Sequence, residues 1–194
     1  MNELKERIAA AAHELFTEHG PEGVSMRKIA QQVGVTAPAI YRHYKDKGEL
    51  LDGIINDGLE KLQSRLAPAL EAATPLERLR RMGDAYLDFA IEQPTFFDYA
   101  FMTPKRSSGS ISEELQRHDR RIFRHAIEQV THCIHDGTFG PSDPIEVAIR
   151  VWSTVHGLIT LFRTGRLGLG DDQFRETYRR TVDQMLADLR PRND

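Results

Sequence analysis

Cysteine occurs once, at Cys133, so the chain cannot close an internal disulfide, and a reducing, cytoplasmic setting is expected. No apolar run approaches the length of a membrane span. The amino end carries no signal-peptide pattern, because Glu3, Lys5, Glu6 and Arg7 break any apolar stretch; no membrane partner is expected. Neither a glycine-rich phosphate loop nor a nucleophile elbow is present, and Cys133 falls mid-helix without a matched acid, so the reading is of a non-enzyme without cofactor. His118, His125 and His132 recur every seven residues, but two helical turns separate such neighbours by about 10 Å, too far for one metal ion. His132 and His135 are close enough, yet a bare pair does not make a zinc site, and no metal is expected.

The most informative absence is local. Between Gly23 and Lys45 there is no Asp or Glu, although the chain holds 29 of them, and the same stretch carries Arg27, Lys28, Arg42, His43 and Lys45. A DNA duplex presents dense negative charge, so a carboxylate in its footprint would be repelled or desolvated beside phosphate. Residues 24–50 are net positive, whereas the stretches before and after them are net negative, which restricts any nucleic-acid surface to this window.

The window reads as a helix-turn-helix. Leu4, Ile8, Ala12, Leu15 and Phe16 mark one stripe of a first helix that Gly20-Pro21 stops. Ser25 is placed to cap a short helix, Met26 to Val33, with Ile29, Ala30 and Val33 inward and Arg27 and Lys28 outward. Gly34 makes the turn, Thr36 caps the next helix, and Pro38 is tolerated in its first turn. There Ile40 and Tyr44 belong to the core, while Ala37, Ala39, Arg42 and His43 face a groove. Asp46 and Glu49 form a capping box for a fourth helix running towards Pro68. The second of two short helices joined by a glycine turn is the reading element.

The runs Gly23-Val24-Ser25-Met26-Arg27-Lys28-Ile29-Ala30 and Gly34-Val35-Thr36-Ala37-Pro38-Ala39-Ile40-Tyr41-Arg42-His43-Tyr44-Lys45-Asp46-Lys47 closely resemble the TetR family of transcriptional repressors. The likeness covers about the first 60 residues. Further on, Trp152-Ser153-Thr154-Val155-His156-Gly157 looks like the Trp-His-Gly signature of one C-terminal subgroup of that family. The resemblance implies a DNA surface made of Met26, Arg27, Thr36, Ala37, Pro38, Ala39, Tyr41, Arg42 and His43, with Lys47 on a phosphate. Ala37 and Ala39 offer methyls where many members have polar groups, so hydrogen-bonded readout leans on Arg42, Arg27 and His43.

The rest reads as helices, without a convincing alternating strand. Thr74-Pro75-Leu76-Glu77 opens one that Pro94 ends; Ser110 and Glu113 open another; Asp143-Pro144 opens a third and Asp171 the last. The expected fold class is all-α: a three-helix DNA-binding head over residues 1–47 and a larger C-terminal helical bundle over residues 48–194, about nine helices in all. The last two long helices are apolar over a wide arc, which an isologous homodimer would bury, with Ile159 and Val182 in the seam. The aromatic cluster Tyr86, Phe89, Phe97, Phe101, Phe123 and Trp152, with His156, is the candidate effector pocket, raised above ordinary core packing only by the family resemblance. The function expected is a ligand-responsive regulator, a repressor, binding a palindromic DNA operator as a dimer and released by a small, largely apolar effector. The alternative is an architectural DNA-binding protein without an effector.

Overall fold

Helix caps and apolar spacing set the architecture. The computed structural model describes residues 3–102 and 113–191, with backbone only in 113–120. Among these residues there are nine α-helices and no strand: α1 Glu3–Gly23, α2 Met26–Val33, α3 Ala37–Tyr41, α4 Lys47–Leu66, α5 Pro75–Glu92, α6 Pro94–Phe97, α7 Glu113–His135, α8 Pro144–Arg163 and α9 Asp171–Ala187. A 3-10 turn, Ala67–Glu71, follows α4, and a π-helical turn, Asp98–Met102, follows α6. The all-α expectation holds. Ser110 and the side chain of His118 lie outside the described residues.

The caps follow the sequence reading in part. Gly20 interrupts α1 at φ 67°, and Pro21 heads one further turn. Thr74 Oγ1 accepts the Glu77 N–H at 3.2 Å, and Asp143 Oδ1 accepts those of Ile145 and Glu146 at 2.7 and 3.2 Å. Ser25 and Thr36 occupy their N-cap positions with extended backbone, but neither hydroxyl makes the capping hydrogen bond.

The chain forms two compact units, which divide it elsewhere than the functional boundary expected after residue 47. The first is Met1–Lys61 with Thr95–His118. Its core is built from Ile8, Ala12 and Phe16 of α1, Ile29 and Val33 of α2, Ile40 of α3, Leu50 and Ile54 of α4, and Phe96 and Phe97 of α6. Phe96 sits against Gly58, where a methyl group would overlap its ring, and lies 5.1 Å centroid to centroid from Phe16.

The second unit is Leu62–Pro94 with Asp119–Asp194. Here α5, α8 and α9 pack together through Leu79, Met82, Leu87, Val151, Val155, Ile159, Phe174, Tyr178 and Val182, and Phe162 stacks on Phe174 at 4.0 Å. Three ion pairs join α5 to α9: Arg80 to Asp183 at 2.7 Å, Asp84 to Arg179 at 3.2 Å, and Asp88 to Arg175. Glu92 continues the series with Arg65 of α4 at 2.6 Å.

Two expectations about α8 and α9 are corrected here. Ile159 is fully buried and Val182 is 6% exposed, so both belong to this unit's own core and not to a seam between subunits. The large apolar residues of α8 that remain exposed are Ile145, Ile149, Trp152 and Leu161, at 53, 48, 44 and 40%, of which the first three share one face by their spacing. Secondly, α8 is by length and composition apolar enough to cross a bilayer, one such helix among the described residues. The run was missed because Arg150 and His156 interrupt it. Its buried side packs on α5 and α9 as a core helix does.

Candidate functional site

In the first unit, α2 and α3 are joined by Gly34 in the left-handed conformation, φ 76° and ψ 35°, where any side chain would be strained. The Val35 N–H returns to Ala30 O at 2.9 Å and closes the end of α2. From α1, Arg7 Nη2 donates to Val33 O at 2.6 Å, so a guanidinium satisfies the last carbonyl before the turn. Buried Ile40 and Tyr44 anchor α3 from below. Lys5 Nζ lies 5.6 Å from the Tyr44 ring centre, and burial, with Asp57 and Glu49 nearby, pushes the Tyr44 hydroxyl above its ordinary pKa.

The reading face built on this frame is as follows. Arg27, Thr36, Pro38, Tyr41 and Arg42 are exposed, with Tyr41 at 54% the most open large apolar side chain among the described residues. Ala37, Ala39, His43 and Lys47 are half-buried. Met26 differs from expectation: at 8% exposure it packs into the core beside Ile29 and Ala30 instead of standing on the face. The helix α3 also ends sooner than the spacing suggested. Arg42 is its C-cap, at φ −73° and ψ −21°, and His43 follows in the turn, its N–H on Ile40 O at 2.9 Å.

Acids closest in sequence to this face are turned to other work. Asp46 Oδ1 accepts the Glu49 N–H at 2.9 Å, as the expected capping box requires, and Glu49 Oε2 accepts the Lys45 N–H at 2.6 Å, so the return bond falls one residue before the cap. Lys47 is the first residue of α4, where the helix N-terminus adds its own attraction for an anion. A row of cations and hydroxyls with its carboxylates engaged is chemically suited to phosphate and base edges. Arg7 and Lys5 were not legible as part of it, because their partners lie 26 or more residues away in sequence.

The residues expected to line an effector pocket fall into two groups. Phe97 and Phe101, 5.2 Å apart, belong to the first unit. Tyr86, Phe89, Phe123, Trp152 and His156 belong to the second. There the Tyr86 hydroxyl and His156 Nδ1 are 3.0 Å apart, Trp152 lies 5.8 Å from His156, and Phe123 lies 5.6 Å from Trp152. Burial holds His156 below its ordinary pKa, which keeps the ring neutral. Phe89 is fully inside, whereas Trp152 is half open to solvent.

Residues 8–54 match the model of "Bacterial regulatory proteins, tetR family", and residues 79–185 match that of the "Tetracyclin repressor-like, C-terminal domain". The nucleoid occlusion factor SlmA of Vibrio vulnificus is 37% identical over 94 residues, 48% of each chain, so this chain spans about half the length of the curated relatives it matches. Among solved structures, the TetR family transcriptional regulator PfmR of Thermus thermophilus superposes with a TM-score of 0.70 at 28% identity, covering 93% of this chain and 97% of that one. A Rhodococcus protein of unknown function shares the fold at a TM-score of 0.85 and 23% identity, over 98% and 97% of the two chains. With a helix-turn-helix of this geometry and a C-terminal helical domain matched over more than half its length, the chain belongs to the TetR family of bacterial transcription regulators.

Proposed function

We propose that the chain is a ligand-responsive repressor that binds a palindromic operator as a homodimer and is released by a small, largely apolar effector in the cytoplasm. In this reading residues 1–47 are the DNA-binding head and residues 48–194 the ligand-binding and dimerisation body. The observation that carries it is the reading face: Arg42 and Tyr41 stand open at the end of α3, and the nearby carboxylates are engaged by backbone amides. Arg42 and Arg27, with His43, read base edges; Tyr41, Thr36 and Lys47 position the head on phosphate; Ala37, Pro38 and Ala39 permit close approach. Met26 supports the face from beneath.

Dimerisation is supported by the uncovered stripe of α8, since 28% of its apolar window is buried within the chain. A second copy related by a two-fold axis covers such a self-complementary patch and doubles the reading helix.

Selection of bound sequences from random DNA tests the proposal. The expected result is a two-fold symmetric site with half-sites about one helical turn, roughly 10 bp, apart. Recovery of unrelated sequences with equal affinity would refute it. One relative is named a nucleoid occlusion factor, and the second reading is an architectural DNA-binding protein without an effector. Under that reading a defined site is recovered, but no small molecule releases it.

A further inference from the structure

The segment that carries the reading face has little support of its own. Its helix, α3, spans five residues, Ala37–Tyr41, and the N-cap Thr36 makes no side-chain bond to it. Isolated helices begin to hold themselves only at about 12 residues, so the direction of α3 is set by whatever fixes the chain on either side of it.

Both sides are fixed by α1. At the near side, the carbonyls that end α2 need partners from beyond the helix. Ala30 O takes the Val35 N–H at 2.9 Å and Gln31 O takes the Gly34 N–H at 3.3 Å, both from the turn itself. Val33 O, the last of α2, takes Arg7 Nη2 of α1 at 2.6 Å. Next to it the Gln32 side-chain amide donates to the carboxylate of Glu14. Arg7 and Glu14 stand seven residues apart on α1, about 10 Å along its axis, yet close on two consecutive residues of α2, so the end of that helix is gripped from two heights. At the far side the Tyr44 N–H closes on Ile40 O at 3.1 Å, and Lys5 Nζ lies 5.6 Å from the centre of the buried Tyr44 ring. The chain between Val33 and Tyr44, which holds Thr36 to His43, is thus tied at its start and at its end to two exposed cations two residues apart on one helix.

We propose that Arg7 and Lys5 are positioning residues of DNA recognition, holding the two ends of the reading segment so that α3 meets the groove in one orientation. This rests on the reading of α2 and α3 as a DNA-binding head. Hydrogen bonds to base edges demand that orientation, whereas attraction to phosphate tolerates many. Loosening either end defers the ordering of α3 to the moment of binding, which weakens the selected site and spares unrelated sequences.

The test uses the full chain, the duplex recovered by selection from random sequence, and a scrambled duplex of equal length and composition, over a salt series. Arg7→Met is expected to bind the selected duplex about tenfold more weakly, the factor one hydrogen bond supplies, with the scrambled duplex within about twofold of the unmodified chain and the salt slope unchanged. Lys5→Met should act in the same direction by about threefold, as suits an exposed cation over a ring. In DNA-free protein, hydrogen exchange at the Ala39, His43 and Tyr44 amides should quicken in Arg7→Met, while exchange at Ile54 and Ile55 of α4 stays as it was. A loss shared equally by both duplexes, with the salt slope reduced by about 0.9, would make Arg7 a phosphate contact and overturn the proposal. Unchanged exchange, or quickened exchange with the preference between duplexes intact, would overturn it too. If Arg7→Met does not fold, Lys5→Met decides by the same criteria. An unmodified chain that does not distinguish the two duplexes would instead remove the DNA-reading head itself.

Discussion

The hydroxyl of Tyr178 on α9 donates to the carbonyl of Gly83 on α5 at 2.8 Å, and a methyl at Gly83 would stand 3.1 Å from that same oxygen. One residue without a side chain and one with a long, rigid one thus define how closely the two helices approach. Burial raises the Tyr178 pKa, which keeps the donor protonated.

Tyr178→Phe should lower stability by about 1 kcal/mol, because the Gly83 carbonyl retains its helical hydrogen bond and loses only the second. Gly83→Ala sets a helix-propensity gain of about 1 kcal/mol against a contact that a fully buried Tyr178 cannot relax away from. The contact is expected to win, giving a net loss in chemical denaturation. A gain in stability would show that α9 has freedom to shift.

On the reading face, Arg42→Ala should cost about 1 to 3 kcal/mol on the selected operator and relax preference at one base pair per half-site. Lys47→Ala should weaken all sequences alike and flatten the salt dependence. Competition binding with cognate and scrambled duplexes separates the two. An equal loss on both duplexes for Arg42→Ala would remove it as a reader.

For assembly, the expected phenotypes divide by burial. Ile149→Glu, on the open stripe of α8, should give a folded monomer in sedimentation, with its helical circular dichroism intact. Ile159→Asp, in the subunit core, should cost several kcal/mol, about 3 or more, and yield misfolded protein. A stable dimer of Ile149→Glu would place the interface elsewhere.

Burial, with Asp136 adding to it, pushes the Cys133 thiol up to about 11 from 9.0. The folded state therefore favours the protonated thiol. Stability from this group is complete below about pH 9 and is lost as pH rises towards 11, since the unfolded chain releases the proton first. Iodoacetamide at pH 8 should label the denatured chain quickly and the native chain hardly at all. Rapid native labelling would contradict the burial.

Much of the head was legible because its determinants are local. Gly34 needs no partner to demand a left-handed turn, and the Asp46–Glu49 box closes within four residues. Ile40 and Tyr44 follow from spacing alone. What spacing could not reveal is which inward-leaning residue meets another element: the family resemblance placed Met26 on the face, but it is buried in the first unit. Likewise Ile159 and Val182 carry the same apolar signal as Ile145 and Ile149. Only the packing of α5 against α8 and α9 decides which pair is used up inside the subunit. The aromatic cluster was visible as composition, but its division between two units depends on tertiary contacts between residues far apart in the chain, such as Tyr86 with His156, 70 positions apart.

The ion pairs between α5 and α9 are solvent-facing, and each adds little to stability. Their order carries more than their strength. Arg80 faces an acid, whereas Asp84 and Asp88 face arginines. Sliding α9 by one turn in one direction would set Arg80 against Arg179, and in the other would set Asp84 against Asp183. Either slip would still bury apolar side chains, so hydrophobic contact alone would not reject it. The single reversed pair marks the alignment, much as one notched tooth fixes how a key enters.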